Sequence, residues 1–431
     1  MLEKIWTQLR RGIIDFCELI FRFEHPNGTA KKSEDKTLNI KNIYYFTTSS
    51  RAFIIQMVFT LNAIYYVSQA GLNPLQLVLV GTIMELSILL FEIPTGLVAD
   101  FFGRKKSLVI GTFIIGAAHL LEGSFPEFWA IAVGSALWGI GWTFISGAEQ
   151  AWIADELENK SLDQVFLKGA QYSSFGAFTG IIVSVLIATV FSVQITILIA
   201  GSLLVLLAII TLMIMPESKF VTISRENHSN FRQILLALKG GVSQIKGNTV
   251  LVAIAAITLF WGLASEGFDR LWGAHFIESF SLAEEDSIYW FGSFYAIAFL
   301  LNIAVLKVVE INMKARYATI LLLANSVLSF AMLFFAFTGN FLIAVLLYWT
   351  IATLRNINYP LMSVMTNERL QSQGRATAIS MFGQLDALGQ VAGGPLVGII
   401  ALYTSINGGI AFSAILIIPT LYFLWKMRKV A

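Results

Sequence analysis

The chain is 431 residues long, and 56% of its residues are hydrophobic whereas only 13% are charged. A water-soluble protein carries about 25% charged residues, so this composition excludes a soluble domain and indicates a polytopic membrane protein. The 29 basic and 27 acidic residues nearly balance, and Cys17 is the only cysteine, which excludes an intrachain disulfide and a cysteine-rich metal cluster. We expect no bound metal and no cofactor.

The first 44 residues are predicted to form a cytoplasmic tail. Acidic and basic residues interrupt any apolar stretch at the start of the chain, so this tail is not a cleavable signal. Residues 5–23 place apolar side chains at helical spacing, which fits either an amphipathic helix on the inner leaflet or a frayed tail. Residues 25–41 are polar and charged and indicate a flexible connector.

Hydropathy predicts an all-α integral membrane protein with twelve transmembrane helices in two six-helix bundles. The first bundle covers residues 45–215 and the second residues 248–431, with a short cytoplasmic tail, and a cytoplasmic linker at 216–247 joins them. The predicted spans are 45–69, 75–98, 107–122, 128–151, 167–190, 193–215, 248–273, 287–309, 317–338, 341–364, 374–402 and 405–425.

Basic residues occur on only one side of these spans. They collect in the N-terminal tail, in every second connection and after the last span, whereas the six alternate connections contain no Lys or Arg. One of those alternate connections carries Glu284, Glu285 and Asp286. The positive-inside rule therefore predicts that both termini are cytoplasmic, in a multi-pass protein of the inner or plasma membrane of a cell.

The two halves share faint internal similarity. Val98-Ala99-Asp100 aligns with Val308-Val309-Glu310 at an offset of 210 residues, and Gly176-x-x-x-Gly180 in span 5 is echoed by Gly389-x-x-x-Gly393 in span 11. Small residues at this spacing let helix backbones approach closely in a membrane. Parallel halves of this kind predict a substrate site between them near the midplane.

The turn between spans 2 and 3 reads GLVADFFGRKKSL from Gly96 to Leu108. Gly96 and Gly103 allow the two helix ends to approach, and Asp100 beside Arg104 and Lys105 forms a charge cluster that can latch neighbouring helices. This segment resembles the signature between helices 2 and 3 of the major facilitator superfamily. Two positions depart from that signature, because Val98 replaces a Leu and Phe101 stands where an Arg is usual.

The resemblance implies a two-bundle transporter that works by alternating access. The stretches 91–96, 146–156 and 374–380 also resemble bacterial drug exporters, including tetracycline-type efflux proteins. That resemblance implies proton-coupled efflux of small amphipathic compounds and hence drug resistance. Span 5 lacks the proline of the antiporter pattern, and span 4 lacks its arginine, which puts the antiporter subclass in question.

Ionisable residues inside a membrane are costly, so those in the predicted spans are candidates for proton or substrate binding. The candidates are Glu85, Glu92, Glu149, Glu266, Asp269, Arg355 and Asp386. We favour Glu85 and Asp386, which lie near the midplane and have no basic partner on their own helix.

Each of the other candidates also has a structural explanation. Glu266 is four residues from Arg270 and can form an ion pair within its helix. Glu149 can join the latch around Asp100, and Glu92 can bond to backbone groups freed by a proline. Arg355 can neutralise a carboxylate across the cavity or bind an anionic part of the substrate.

Aromatic and amide side chains are predicted to line the central cavity, although Trp and Tyr also anchor helices at lipid interfaces. An aromatic wall with few hydrogen-bonding groups suits amphipathic organic molecules better than sugars. The cavity candidates are Tyr65, Tyr66, Trp138, Trp142, Tyr172, Trp261, Asn302, Trp349 and Asn358.

The expected partners are a small-molecule substrate, protons as the coupling ion and the lipid bilayer, with the protein acting as a monomer. An importer or facilitator of a metabolite on the same fold fits the embedded carboxylates equally well. A membrane-embedded enzyme or receptor is a more distant alternative, because no His, Asp and Glu cluster has ligand spacing and no phosphate-binding loop occurs. Nucleic-acid binding is not expected, since the basic residues follow the membrane topology.

Overall fold

The computed structural model describes residues 29–158, 162–220, 245, 247–312, 317–370 and 375–428. The regular structure of these residues is helical. The helices are α1 (Thr29–Ile64), which continues as a π-helical turn (Tyr65–Gln69), α2 (Pro74–Phe102), α3 (Arg104–Ser124), α4 (Phe128–Glu156), α5 (Leu162–Val190), α6 (Val193–Ile214), α7 (Thr249–Ser279), α8 (Glu284–Asn312), α9 (Tyr317–Phe337), α10 (Phe341–Arg369), α11 (Arg375–Tyr403) and α12 (Ile406–Arg428). In the described part of the chain, twelve helices are long and apolar enough to cross a membrane, which confirms the predicted fold class.

The helices run alternately between two faces. The basic face carries the α2–α3 turn at Gly103, with its Arg and Lys residues, and the end of α12 at Arg428. The opposite face carries the α1–α2 turn at Gly71 and the start of α8 at Glu284. Which face lies in the cytoplasm remains a prediction from the charge pattern.

Several helices extend beyond the predicted spans on the basic face. The largest difference is at α1, which begins at Thr29, so residues 29–44 are helical where the sequence indicated a tail and connector. A span predicted from hydropathy ends at the first cluster of charges. The helix itself extends past that point, because charged residues do not interrupt its backbone hydrogen bonds. The amphipathic segment predicted at 5–23 and residues 221–244 of the linker lie outside the described residues.

Specific residues determine the tight turns between neighbouring helices. Gly71 and Gly103 adopt φ values of +60° and +110°, in the region that favours glycine. Asn73 opens α2 with a capping box, in which its side chain accepts from Gln76 N–H and Gln76 reciprocates. These turns hold successive helices side by side.

Glycines mark where the helices of each bundle cross. A Cβ on Gly176 of α5 would lie 2.3 Å from the carbonyl oxygen of Ser49 in α1. In the second bundle, a Cβ on Gly393 of α11 would lie 2.1 Å from the carbonyl oxygen of Leu263 in α7. Both motifs that echo each other in the sequence therefore serve close backbone contact in equivalent positions, as predicted.

The two bundles touch each other on the side of the opposite face. A Cβ on Gly394 of α11 would meet the Thr82 hydroxyl of α2 at 2.2 Å. A Cβ on Gly273 of α7 would lie 2.5 Å from the Cβ of Ala63 in α1. Gln69 also donates to Glu284 at 2.7 Å across the two bundles. The opposite face is closed.

Towards the basic face, the inner helix surfaces become exposed. On α10, Tyr348 is 5% exposed near the opposite face, whereas Tyr359 on the same side of the helix is 83% exposed. On α2, Val78 is fully buried and Glu92 is exposed, although both share a face with Glu85. The space between the bundles therefore opens towards the basic face.

Candidate functional site

Ionisable side chains from four helices meet between the two bundles. Arg270 Nε of α7 donates to Glu266 at 3.1 Å, so the predicted ion pair within this helix is present. Arg355 of α10 donates to Asp269 of α7 at 2.5 Å, so its partner in this structure is a carboxylate of a neighbouring helix. Asp269 lies ten residues from the opposite-face end of α7, about 15 Å along the helix.

Glu85 of α2 and Asp386 of α11 complete this central acidic cluster. Glu85 interacts electrostatically with Glu266, Arg270, Asp386 and Asp269. Asp386 accepts a hydrogen bond from Gln390 at 2.8 Å. Neither carboxyl group forms an ion pair with another described residue, in agreement with the sequence argument that singled them out. The cluster thus contains four carboxyl groups and two arginines.

Aromatic rings surround the charges on the side of the second bundle. The Arg355 guanidinium lies 5.8 Å from the Trp261 ring centre and 5.3 Å from that of Phe268. Trp272 packs against Tyr348 with ring centres 4.3 Å apart. Sequence reasoning selected Trp261 but missed the other aromatic residues of this wall.

Tyr295 and Tyr348, which were also missed, lie within electrostatic range of Asp269. Their hydroxyl groups are therefore close to the cluster, in addition to the aromatic surface that their rings supply. Nothing in the sequence distinguishes these tyrosines from those that face lipid, because hydropathy does not give the rotation of a helix about its axis.

Three of the predicted aromatic residues of the first bundle take part in two stacked ring pairs. Trp138 and Trp142 of α4 stack with ring centres 5.5 Å apart and planes 10° apart. Tyr172 of α5 stacks on Tyr45 of α1 at 5.0 Å. All of these rings remain partly accessible except Tyr45, which is buried.

Three predicted cavity residues are instead part of the helix packing. Tyr66 is 7% exposed, and its hydroxyl donates to the Glu122 carboxylate at 3.2 Å. Tyr65 is fully buried, and its hydroxyl donates to the main-chain carbonyl of Glu122. Asn358 is 5% exposed and accepts from Asn325 of α9 at 2.7 Å. A polar side chain in a span can bond to a neighbouring helix as well as line a cavity, and in this structure these residues bond to neighbouring helices.

Two further candidates, Asn302 of α8 and Trp349 of α10, are half-buried. The Asn302 Oδ1 and Trp349 Nε1 atoms are buried and have no hydrogen-bond partner among the described residues. Such orphaned polar atoms are costly in a membrane interior. They mark places where a substrate group or water can supply the missing bond.

The remaining embedded carboxylates have partners that the sequence did not reveal. Glu149 of α4 pairs with Arg51 of α1 and does not join the predicted latch with Asp100. Glu92 accepts from Gln384 of α11 at 2.5 Å, which adds a link between the bundles at the basic-face end of their contact. Arg51 was visible as a charge within the first predicted span but was not recognised as a site residue.

The α2–α3 turn binds two other segments at the basic face. Arg104 pairs with Asp155 of α4 and donates to the Ala151 carbonyl at 2.6 Å. The backbone N–H of Lys105 donates to Glu217 at 2.9 Å, so a carboxylate sits at the N-terminus of α3. Within the predicted charge cluster, Arg104 therefore bonds to α4 and not to Asp100.

Asp100 and Gly96 line a pocket between α2 and α4, with Glu92 on the same wall. Asp100 has no hydrogen-bond or ion-pair partner in the described part of the chain. A Cβ on Gly96 would have no neighbour within 4 Å. Of the predicted latch residues, those from Gly103 to Lys105 contact other segments of the chain. Gly96 and Asp100 make no such contact among the described residues.

Among the described residues, no three His, Cys, Asp or Glu side chains lie close enough together to bind a metal ion. The side chains that meet at the site are carboxyl groups, guanidinium groups and aromatic rings. Such groups can exchange protons and bind an organic molecule.

Comparisons with known proteins agree with this architecture. Residues 44–385 match the sequence profile described as the Major Facilitator Superfamily. The uncharacterized MFS-type transporter YxaM of Bacillus subtilis (strain 168) is 22% identical over 394 residues, which cover 89% of this chain and 94% of YxaM.

Solved structures are similar in fold at low sequence identity. The nucleoside transporter NupG superposes with a TM-score of 0.73 at 12% identity, over 90% of this chain and 99% of that one. A bacterial homolog of the human lysosomal transporter Spinster, in an inward-facing and unoccupied conformation, gives 0.72 at 12% identity, over 93% and 98%. A POT family transporter in complex with 5-aminolevulinic acid gives 0.69 at 13% identity, over 91% and 96%.

Proposed function

The chain belongs to the Major Facilitator Superfamily, and we propose that it is a proton-coupled transporter that exports small amphipathic organic compounds. Membership in this family makes it a multi-pass membrane transporter rather than an enzyme. The coupling ion, the substrate and the direction are the proposal, and the central acidic cluster is the observation that carries it.

The charges of the cluster do not balance. Two of its four carboxyl groups are paired with arginines, and Glu85 and Asp386 are left without a counter-ion. Two uncompensated negative charges in a membrane interior cost several kcal/mol, and binding a proton removes that cost. A carboxyl group that alternately faces each side of the membrane then carries its proton from one side to the other.

The walls of the cavity favour an amphipathic substrate. Trp138, Trp142 and Trp261 supply flat apolar surface, and Arg355 is already engaged by Asp269. The excess of carboxyl groups disfavours anionic compounds and favours neutral or cationic ones. A proton and a cation would compete for the same two carboxylates, and this competition is the basis of exchange.

Export is proposed from the likeness of three short stretches to bacterial drug exporters, and the geometry is equally compatible with import. In this proposal the basic face is cytoplasmic, the membrane is the plasma membrane, and a monomer alternates between a form open to the basic face and one open to the opposite face. In this proposal Arg104 separates from Asp155 during that change.

Flux measurements in proteoliposomes under an imposed pH gradient test this proposal. The probes are ethidium as an amphipathic cation, uridine as a nucleoside and a dipeptide. We expect ethidium to move uphill against the proton flow. Uphill movement of uridine or the dipeptide with the protons would instead establish an importer, and flux that ignores the gradient for all three would refute proton coupling.

A further inference from the structure

Helix α5 of the first bundle packs against α8 of the second near the opposite face. A Cβ on Gly292 of α8 would lie 2.4 Å from Cγ2 of Val185 in α5, and the rings of Phe178 and Phe299 have centres 5.6 Å apart. On each helix the two contact residues are two turns apart, so each helix uses a single face. Phe178 and Phe299 lie about 18 and 22 Å along their helices from the opposite-face ends.

The same two helix faces continue towards the basic face and become exposed there. On α5 the face continues from Phe178 to Ser174, Gln171 and Leu167, all of which are exposed. On α8 it continues from Phe299 to Ile303 and Leu306, which are 55% and 38% exposed. We call the space bordered by these five exposed residues the lateral gap. It begins near the middle of both helices.

The lateral gap lies at the depth of lipid acyl chains. Lys168 of α5 and Lys307 of α8 are exposed and lie about 12 and 14 Å from the midpoints of their helices, on the basic-face side. The hydrocarbon core of a bilayer extends about 15 Å from its midplane, and lysines near helix ends favour its boundary. The gap extends from the Phe178–Phe299 contact to about the level of these lysines, so it borders the leaflet on the basic-face side.

The contact between α2 and α11, on another side of the cavity, is longer. A Cβ on Gly398 of α11 would lie 2.8 Å from Cδ1 of Leu75, near the opposite-face end of α2. Towards the basic face, Gln384 of α11 donates to Glu92 of α2 at 2.5 Å. Leu75 and Glu92 are about 26 Å apart along α2. The two bundles therefore stay in contact at α2 and α11 to a greater depth than the packed contact of α5 with α8.

One face of α8 connects the lateral gap with the central acidic cluster. Tyr295 of α8 packs against Trp272 of α7 with ring centres 5.8 Å apart, and Trp272 is one turn from Asp269. Asn302 lies two turns from Tyr295 on the same face of α8 and is the neighbour of Ile303 in the gap. The Asn302 Oδ1 atom is buried and has no hydrogen-bond partner among the described residues. A polar group of a ligand that extends from the cluster into the gap can supply that bond.

We propose that the substrate is a single-tailed amphipathic cation, which binds with its head at Glu85 and Asp386 and with its apolar tail in the lateral gap. This inference rests on the proposed function and adds the shape of the substrate. The unpaired carboxyl groups attract the head, and Ile303, Leu306 and Leu167 offer apolar surface to the tail. Because the tail reaches the acyl chains of the leaflet, the volume of the cavity does not limit its length.

The test compares the binding of decyltrimethylammonium and butyltrimethylammonium to the protein in phosphatidylcholine nanodiscs. Both probes have the same head, and only the first has a tail long enough to enter the gap. Dissociation constants refer to the free aqueous concentration of each probe, with binding to empty nanodiscs subtracted. Ser174→Trp and Ile303→Trp each fill the gap. Leu301→Trp is the matched control, because Leu301 is also exposed but points about 200° away from Ile303 around α8.

We expect the wild-type protein to bind the decyl probe more tightly, by about fourfold for each methylene group buried in the gap. Ser174→Trp and Ile303→Trp should weaken binding of the decyl probe about fivefold or more and leave binding of the butyl probe unchanged. Leu301→Trp should change neither. A shift between the two forms of the transporter would affect both probes equally, so a loss confined to the decyl probe identifies the position of the tail.

The lateral gap itself is measured without any substrate. Spin labels at Ser174→Cys or Ile303→Cys in a Cys17→Ser background report collisions with oxygen, which concentrates in lipid, and with a water-soluble nickel chelate. A label at Leu323→Cys, 63% exposed on α9, is the reference for a lipid-facing site. We expect the two gap labels to collide with oxygen as often as this reference does, and more often than with nickel.

Three outcomes would overturn the proposal in distinguishable ways. Gap labels that collide mainly with nickel, or with neither reagent, would show that the gap does not face lipid. Equal wild-type affinities for the two probes, or an equal effect of the Trp substitutions on both, would leave a bilayer lipid as the occupant of the gap while the proposed function stands. If neither probe binds, the proposed binding of cations by the cluster is refuted, and the substrate assignment fails with it.

Discussion

Gly81 of α2 offers a direct way to shift the transporter between its two forms. A Cβ at this position would lie 1.9 Å from Oε2 of Glu266 and 2.2 Å from Nε of Arg270. The Glu266–Arg270 ion pair of the second bundle therefore packs directly against Gly81, at the contact that closes the opposite face. We expect Gly81→Ala to disfavour the closed form while leaving the open form, in which α2 and α7 separate, unaffected.

The size of this effect follows from the overlap. The Glu266 carboxylate must retreat by about 1.5 Å to reach an ordinary contact of 3.4 Å, which either breaks its 3.1 Å bond to Arg270 or moves α2 away from α7. Overpacking of this kind costs about 1–3 kcal/mol. Since about 1.4 kcal/mol corresponds to a tenfold change in an equilibrium constant, the closed-to-open ratio should fall about five- to 150-fold.

The distance between spin labels at Glu127→Cys and Ala283→Cys, on opposite bundles in a Cys17→Ser background, measures this ratio. Gly96→Ala is the matched control, because Gly96 lies on the same helix and a Cβ there meets nothing within 4 Å. An unchanged closed fraction in Gly81→Ala, with Gly96→Ala also unchanged, would refute the idea that this contact closes the opposite face.

Two further substitutions test the first bundle. Arg51→Gln leaves the half-buried Glu149 carboxylate without its partner and should destabilise the protein by about 1–3 kcal/mol, less than the loss of a fully buried pair. Arg51→Gln combined with Glu149→Gln should regain most of that loss in thermal unfolding in detergent. A double variant no more stable than the single one would show that Arg51 acts through packing. Asp100→Asn should slow transport with no loss of thermal stability, because Asp100 has no ion-pair or hydrogen-bond partner among the residues described. If the Asp100→Asn variant transports at the wild-type rate at equal expression, a latch function of Asp100 is excluded.

The number of helices and their grouping followed from the sequence because both depend on properties averaged over many residues. The hydropathy of the spans and the alternation of basic connections do not change when a helix boundary is misplaced by a few residues. The same holds for the glycine spacing of Gly176-x-x-x-Gly180 and Gly389-x-x-x-Gly393. The start of α1 at Thr29 was missed because a polar helix outside the bilayer has no hydropathy signal.

Individual partners were harder to predict than spans. Glu85 and Asp386 were identified correctly as carboxyl groups without an ion-pair partner on their own helices, since a helix allows few local pairings. Partners on other helices, such as Arg51 for Glu149 and Asn325 for Asn358, depend on helix rotation and packing. A single sequence contains no direct measure of either.

The most direct measurement compares gradient-driven accumulation with simple exchange in proteoliposomes that contain Glu85→Gln, Asp386→Asn or both. Glu92→Gln is the matched control, because Glu92 lies on the same face of α2 as Glu85 but is exposed and bonded to Gln384. If the unpaired carboxyl groups bind the coupled proton, the double variant should no longer concentrate ethidium, whereas Glu92→Gln should both exchange and concentrate it. A double variant that still concentrates ethidium under the pH gradient would contradict proton coupling by the central acidic cluster.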